Sequence, residues 1–140
     1  MSAASDYLEN KLLDHVLRYS TASYTAPSTT YLALFTSNTN LENNNVNSAD
    51  EIQILGGTAY ARTAITFGNA ASSGSITNSA SITFPTATAN WGIVTTVAIM
   101  DNATRAQGNV LFYGDLTISK NVTIGDTFTI NTNNLTVTLA

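Results

Sequence analysis

The sequence predicts one mainly β domain, a single antiparallel β-sandwich or barrel-like fold, with one N-terminal amphipathic helix. Three observations lead there. The chain has 140 residues, the size of one domain. Apolar residues recur at helical spacing only before residue 19. After Thr29 the pattern changes to short apolar–polar alternations broken by Gly, Asn and Asp, as strands and their turns do.

The helix is expected over residues 5–19. Leu8, Leu12, Leu13, Val16 and Leu17 form one apolar stripe. Asp6 followed by Glu9 is a capping-box spacing with Asp in the usual Ser/Thr place. Arg18 falls in the last turn, where a cation suits the macrodipole. Residues 20–28 read as a loop, and Pro27 stops any helix there.

Strands are expected at Tyr31–Thr36, Tyr60–Phe67, Ser79–Phe84, Ile93–Met100, Val110–Leu116, Asn121–Ile124, Thr127–Ile130 and Leu135–Leu139. Near the C-terminus Phe128 and Ile130 share one face, and Leu135, Val137 and Leu139 share another. Asn133-Asn134 and Gly125-Asp126 are turn signals, so this third reads as a meander of short antiparallel strands. Residues 37–51, rich in Asn and poor in apolar residues, read as a long surface loop, either a solvated insertion or a partner contact. Residues 68–80 read as a second loose connection, and no second domain is visible.

Only 10% of residues are charged, against roughly 25% in ordinary soluble domains. Thr, Asn and Ser carry the polarity, a surface suited to packing against other proteins or to facing sugars. The net charge is −4, and the five basic residues (Lys11, Arg18, Arg62, Arg105, Lys120) are dispersed. That excludes a phosphate-neutralising cluster, so no nucleic-acid partner is expected. No apolar run approaches the ~20 residues of a membrane span, and the N-terminus lacks a signal-peptide pattern. There is no cysteine, hence no disulfide and no thiolate metal site.

Chemistry-bearing residues are sparse. His15 is the single histidine, so no common metal site can be built on it. Glu42, Asp50 and Glu51 read as solvated loop acids, and Asp101 and Asp126 as turn acids at strand ends. Asp115 inside a strand pattern stands alone, and one carboxylate makes no glycosidase pair. Gly56-Gly57 precedes a strand rather than a helix and reads as a turn. Trp91-Gly92 reads as a core tryptophan at a strand entry, with sugar stacking as its functional alternative. No catalytic residue, cofactor or metal is therefore assigned, and the chain is expected not to be an enzyme.

Several segments taken in order resemble a known group. They are Tyr31–Thr36 after the helix, Tyr60-Ala61-Arg62, Ile65-Thr66-Phe67, Ile82-Thr83-Phe84-Pro85, Trp91-Gly92, Val97–Asp101, Gly108–Leu116, Gly125–Phe128 and Leu135-Thr136-Val137. The order is similar to small bacteriophage virion proteins of the tail-fibre-like or capsid decoration (cement) group, over nearly the whole chain. Met100 stands where an aromatic is common in that group, and the 37–51 insertion is particular to this sequence.

The resemblance implies a non-catalytic phage structural protein located in the virion. A cement role would brace neighbouring shell subunits on the outside of the head, with the major capsid protein as partner. The alternative is a tail-fibre or receptor-binding module that contacts host surface glycans. Either implies a homo-oligomer, a dimer or trimer. The expected assembly contacts are Tyr7, Lys11, Asp14 and Arg18 on the helix, and Asn43, Asn44 and Asn45 in the loop.

Overall fold

A computed structural model describes residues 3–18, 24–47 and 49–139. Tyr19, the last residue of the expected helix, lies outside these, as do Ser20–Ser23 and Ser48. The elements are β1 (Ala3–Ala4), α1 (Asp6–Leu17), β2 (Thr30–Phe35), β3 (Thr63–Ile65), β4 (Ser75–Thr77), β5 (Ile82–Thr83), β6 (Gly92–Met100), β7 (Val110–Val122), β8 (Thr129–Ile130) and β9 (Thr136–Thr138).

The fold is mainly β, with an antiparallel five-stranded sheet in the order β1-β7-β6-β2-β3. Alternation of side chains gives this sheet two apolar faces. On one, Leu32, Leu34, Val97 and Ile99 pack with Ile82, Phe84, Trp91, Phe128 and Val137 from the later segments. On the other, Ala33, Phe35, Ala98, Met100 and Val110 pack with Leu41, Val46 and Ala49. A sandwich thus closes over the first face, and the 37–51 segment closes over the second.

The C-terminal meander needs correction. β8 pairs with β5 and β9 pairs with β4, so the two C-terminal strands do not pair with each other. Both expected turns are present: Asn133 has φ 65°, and the Asp126 N–H donates to Thr123 O at 3.0 Å. Asn78, fully buried, explains the pairing. Its amide donates to Ala80 O and Asn131 O at 2.8 and 3.0 Å, and its Oδ1 accepts Leu135 N–H at 2.9 Å. One side chain from the supposedly loose 68–80 stretch therefore anchors both C-terminal strands to earlier ones. β4 lies in that same stretch, where no strand was expected.

β7 runs unbroken where two strands were expected, but not in uniform register. Thr96 pairs with Asp115 and Val94 with Lys120, so residues 116–119 bulge against Thr95 alone. β3 and β5 are shorter than their apolar patterns suggested, because Tyr60, Phe67 and Phe84 pack as core side chains outside any ladder.

α1 begins one residue earlier in its cap than expected. Ser5, not Asp6, is the N-cap, and its hydroxyl accepts Leu8 N–H at 3.4 Å. The same hydroxyl donates to Val110 O, and Ser5 N–H donates to Leu111 O at 3.1 Å. This fixes the helix start on β7. Asp6 and Glu9 become first-turn acids that suit the positive end of the macrodipole.

Candidate interaction surface

A buried polar cluster forms a clamp around Glu51. Arg62 binds its carboxylate with both arms, Nε to Oε1 and Nη2 to Oε2, each at 2.8 Å. Tyr60 hydroxyl donates to Oε1 at 2.9 Å while accepting Leu34 N–H at 3.0 Å. Ala106 N–H donates to Oε2 at 3.1 Å. Arg62 Nη1 reaches Asn102 O and Gln107 O at 2.7 and 2.9 Å. Arg105 holds Ile52 O and Glu51 O at 2.8 and 2.9 Å. Burial, and then the neighbouring Glu51 charge, push the Tyr60 hydroxyl well above its ordinary pKa.

Glu51 is thus not the solvated loop acid expected, since it is 2% exposed. Its oxygens are filled by protein donors, so the group ties the end of the 37–51 segment to the turn at 101–109 and leaves no open position for a substrate. Its partners lie nine and eleven positions downstream, and no local pattern marks that pairing.

Trp91 follows its core reading. It is 6% exposed, its indole N–H donates to Thr58 O at 2.7 Å, and its ring meets Tyr60 edge-on at a centroid distance of 5.4 Å. A sugar cannot stack on it, so that alternative is overturned. Asp101 and Asp126 are turn acids as expected. Asp101 accepts Asn109 N–H at 2.6 Å. The Thr123 N–H and hydroxyl hold the Asp126 carboxyl below the ordinary carboxylate range. Asp115 accepts from Thr96 hydroxyl at 2.7 Å and Asn38 amide at 3.3 Å. His15 Nδ1 accepts Tyr24 N–H at 3.2 Å. Among the described residues no group of three His, Cys, Asp or Glu could hold a metal ion, and no helix is long and apolar enough to cross a membrane.

The residues expected to dock partners fall into two sets. In the loop, Asn43 and Asn45 are exposed. Asn44 instead turns inward: its Oδ1 accepts Val110 N–H at 2.7 Å and its amide donates to Asn109 Oδ1 at 2.9 Å. With Leu41 fully buried, the segment is a lid on the sheet rather than a solvated insertion. On α1, Lys11 is exposed with its ammonium 5.8 Å from the half-buried Tyr7 ring, and Asp14 pairs with Arg18 at 3.2 Å.

The helix also carries a feature that the sequence reading passed over. Leu8 is buried, yet Leu13, Val16 and Leu17 are 57%, 73% and 72% exposed. A signal was available: at about 100° per residue the five apolar positions spread over half the helix circumference, wider than one sheet face can cover. Ile54 and Leu55, ahead of Gly56-Gly57, are likewise 53% and 80% exposed.

A groove of about 290 Å³ runs under β7 between Phe112, Leu116, Ile130 and Val137. Its lining mixes these apolar side chains with Thr117, Asn134 and Thr136, and Asp115 is its one charged residue.

No curated protein matches the chain. Residues 3–138 match the family described as "Podophage GP4 fiber I protein gp80". That span includes the helix, the lid, the Glu51 clamp and both small sheets, so the similarity is one of the whole fold. The chain belongs to the podophage GP4 fiber I protein gp80 family and is a phage structural protein, a component of the virion.

Proposed function

We propose that this protein is a non-catalytic structural module of the phage fibre assembly. The observation that carries this is the family match over residues 3–138, because the family is that of a fiber protein. It favours the fibre side over the capsid-cement reading, for which the helix and the lid offered only surface. The structure supports an assembly role in a second way. Its buried carboxylate is closed by protein donors, whereas its exposed apolar side chains are numerous for so small a domain.

The docking surface of this reading is the outer side of α1, with Lys11, Asp14 and Arg18 around Leu13, Val16 and Leu17. Asn43 and Asn45 form a second, polar surface on the lid. A partner seated on α1 would bury the apolar triplet, and the surrounding charges would set its orientation. Glycan contact, if the module makes it, must use surfaces other than Trp91.

The test is quantitative mass spectrometry of purified virions separated into heads and tails. A low copy number confined to the tail fraction is the expected result. A copy number near that of the shell protein, confined to heads, would overturn the fibre reading in favour of cement.

A further inference from the structure

The helix and the lid meet at one residue. Val110, the first of β7, is fully buried, and its peptide groups serve both elements. Its N–H donates to Asn44 Oδ1 of the lid at 2.7 Å, and its carbonyl accepts the hydroxyl of Ser5, the N-cap of α1. The bonding continues on either side. Asn109 Oδ1 accepts the Asn44 amide at 2.9 Å, and Leu111 O accepts Ser5 N–H at 3.1 Å. Lid and helix are also joined directly, by Asp6 N–H to Glu42 O at 2.8 Å.

Away from this junction both elements have few ties. Within residues 38–45 Leu41 alone is a buried apolar side chain, and the bond from the Asn38 amide to Asp115, at 3.3 Å, is exposed. Within α1 only Leu8 is buried. Charge works against closure. Burial, then Glu42 of the lid, Asp6 and Glu9 of the helix, and Asp115, raise the Tyr113 hydroxyl above its ordinary value, so carboxylates gather on both sides of the seam.

Lifting α1 removes the donor from Val110 O and from Glu42 O, and it lets water reach the bond that Asn44 makes. Lifting the lid removes the acceptor from Val110 N–H and from Asp6 N–H. Either change alone strands buried polar groups of the other element.

We propose that α1 and residues 38–45 of the lid form one latch that opens as a unit, with the Val110 peptide as its catch. The far end of the lid stays closed, because Glu51 is clamped and Thr36 N–H is bonded to Asp50 O. Opening uncovers the second apolar face of the sheet, with Phe35, Ala98 and Met100. A chain that grips α1 and draws it off β7 thereby bares a new apolar surface. The latch is a property of the chain itself and holds whether it sits on the fibre or the head.

Met100 reports the opening. It is fully buried under the lid, and the sequence has one other methionine, Met1. Conversion to the sulfoxide by dilute hydrogen peroxide, followed by mass spectrometry, measures its access. Ser5→Ala, on the helix side, should speed Met100 oxidation about fivefold, as the loss of a cap of ordinary strength does. Hydrogen exchange should quicken by the same factor at Asn44, Asn45 and Val110. Asn44→Ala, on the lid side, should in turn quicken exchange at Asp6, Leu8 and Glu9, and it supplies the test if Ser5→Ala does not fold. The Leu34 and Ile52 amides, bonded in the sheet beyond the latch, should stay slower than both elements in each variant. Asn43→Ala, at an exposed lid position, should change none of these rates. A Ser5→Ala chain whose helix amides quicken while Met100 and the lid keep their wild-type rates overturns the proposal, since the two elements then open independently. Lid and helix amides that exchange no faster than Leu34 overturn it as well, because opening is then global unfolding.

Discussion

The lid over residues 37–51 and the helix α1 exchange the roles their compositions suggest. The lid is Asn-rich and poor in apolar residues, yet Leu41 is fully buried and Asn44 spends its amide on Asn109 and Val110. The helix has the strongest apolar pattern in the sequence, yet its last two turns leave three large aliphatic side chains in solvent. The difference lies in attachment. The lid is held at both ends, by Thr36 N–H to Asp50 O at 2.9 Å and by the Glu51 clamp, and in the middle by Asn44. The helix is held along one side, through Ser5, Leu8 and Leu12, and the side that carries Leu13, Val16 and Leu17 is left in solvent. A few well-placed hydrogen bonds can close a polar segment over a core, while an apolar stripe buries only what it is anchored against.

Cutting the lid at its base should give the largest effect. Glu51→Ala leaves the Arg62 guanidinium buried without its carboxylate, an outcome that costs about 3–5 kcal/mol. That is a large share of the ~5–15 kcal/mol that holds a domain of this size together. Urea unfolding should show it as a fall in midpoint. A loss below about 1 kcal/mol would mean that solvent reaches the clamp in solution. Leu41→Ala comes next, at about 2–4 kcal/mol, because it opens a cavity under the lid against Phe35 and Met100. Asn44→Ala follows at about 1–3 kcal/mol, since it leaves the Val110 N–H without its acceptor. It should also speed hydrogen exchange at Val110, a readout that a solvated loop would not move.

The sequence showed the outline of this fold through periodicity and failed where long-range partners decide. β2 and β6 stood out because unbroken apolar runs such as Tyr31–Phe35 and Val97–Met100 fill a central sheet from both faces. The turns at Gly125-Asp126 and Asn133-Asn134 also stood out, since turn chemistry is local. The pairing of β8 with β5 and β9 with β4 did not, because Asn78 arranges it from more than fifty positions away. Glu51 looked like a loop acid for the same reason: its burial depends on Arg62 and on backbone near Ala106. On the surface, Lys11 and Arg18 were visible as exposed helix charges, whereas the bare side of α1 was not, since a periodic stripe states which residues align and not how much of it a neighbour covers.

The smallest stability effect falls on the helix and sharpens the comparison most. Leu17→Ser removes a side chain that is 72% exposed, so unfolding of the dilute monomer should shift by no more than about 0.5 kcal/mol. Leu8→Ala, one face around and buried against the sheet, should cost about 2–4 kcal/mol. A twelve-residue helix is marginal alone in water, so α1 depends on its first turn for order, and Leu8 should carry the rest of the helix with it. Circular dichroism should therefore show helix loss in Leu8→Ala and none in Leu17→Ser. If Leu17→Ser instead destabilised the monomer as Leu8→Ala does, the last turns would be packed on their own domain in solution. The contrast between a tethered lid and a helix bare on one side would then fail, and with it the case for α1 as the surface that meets another chain.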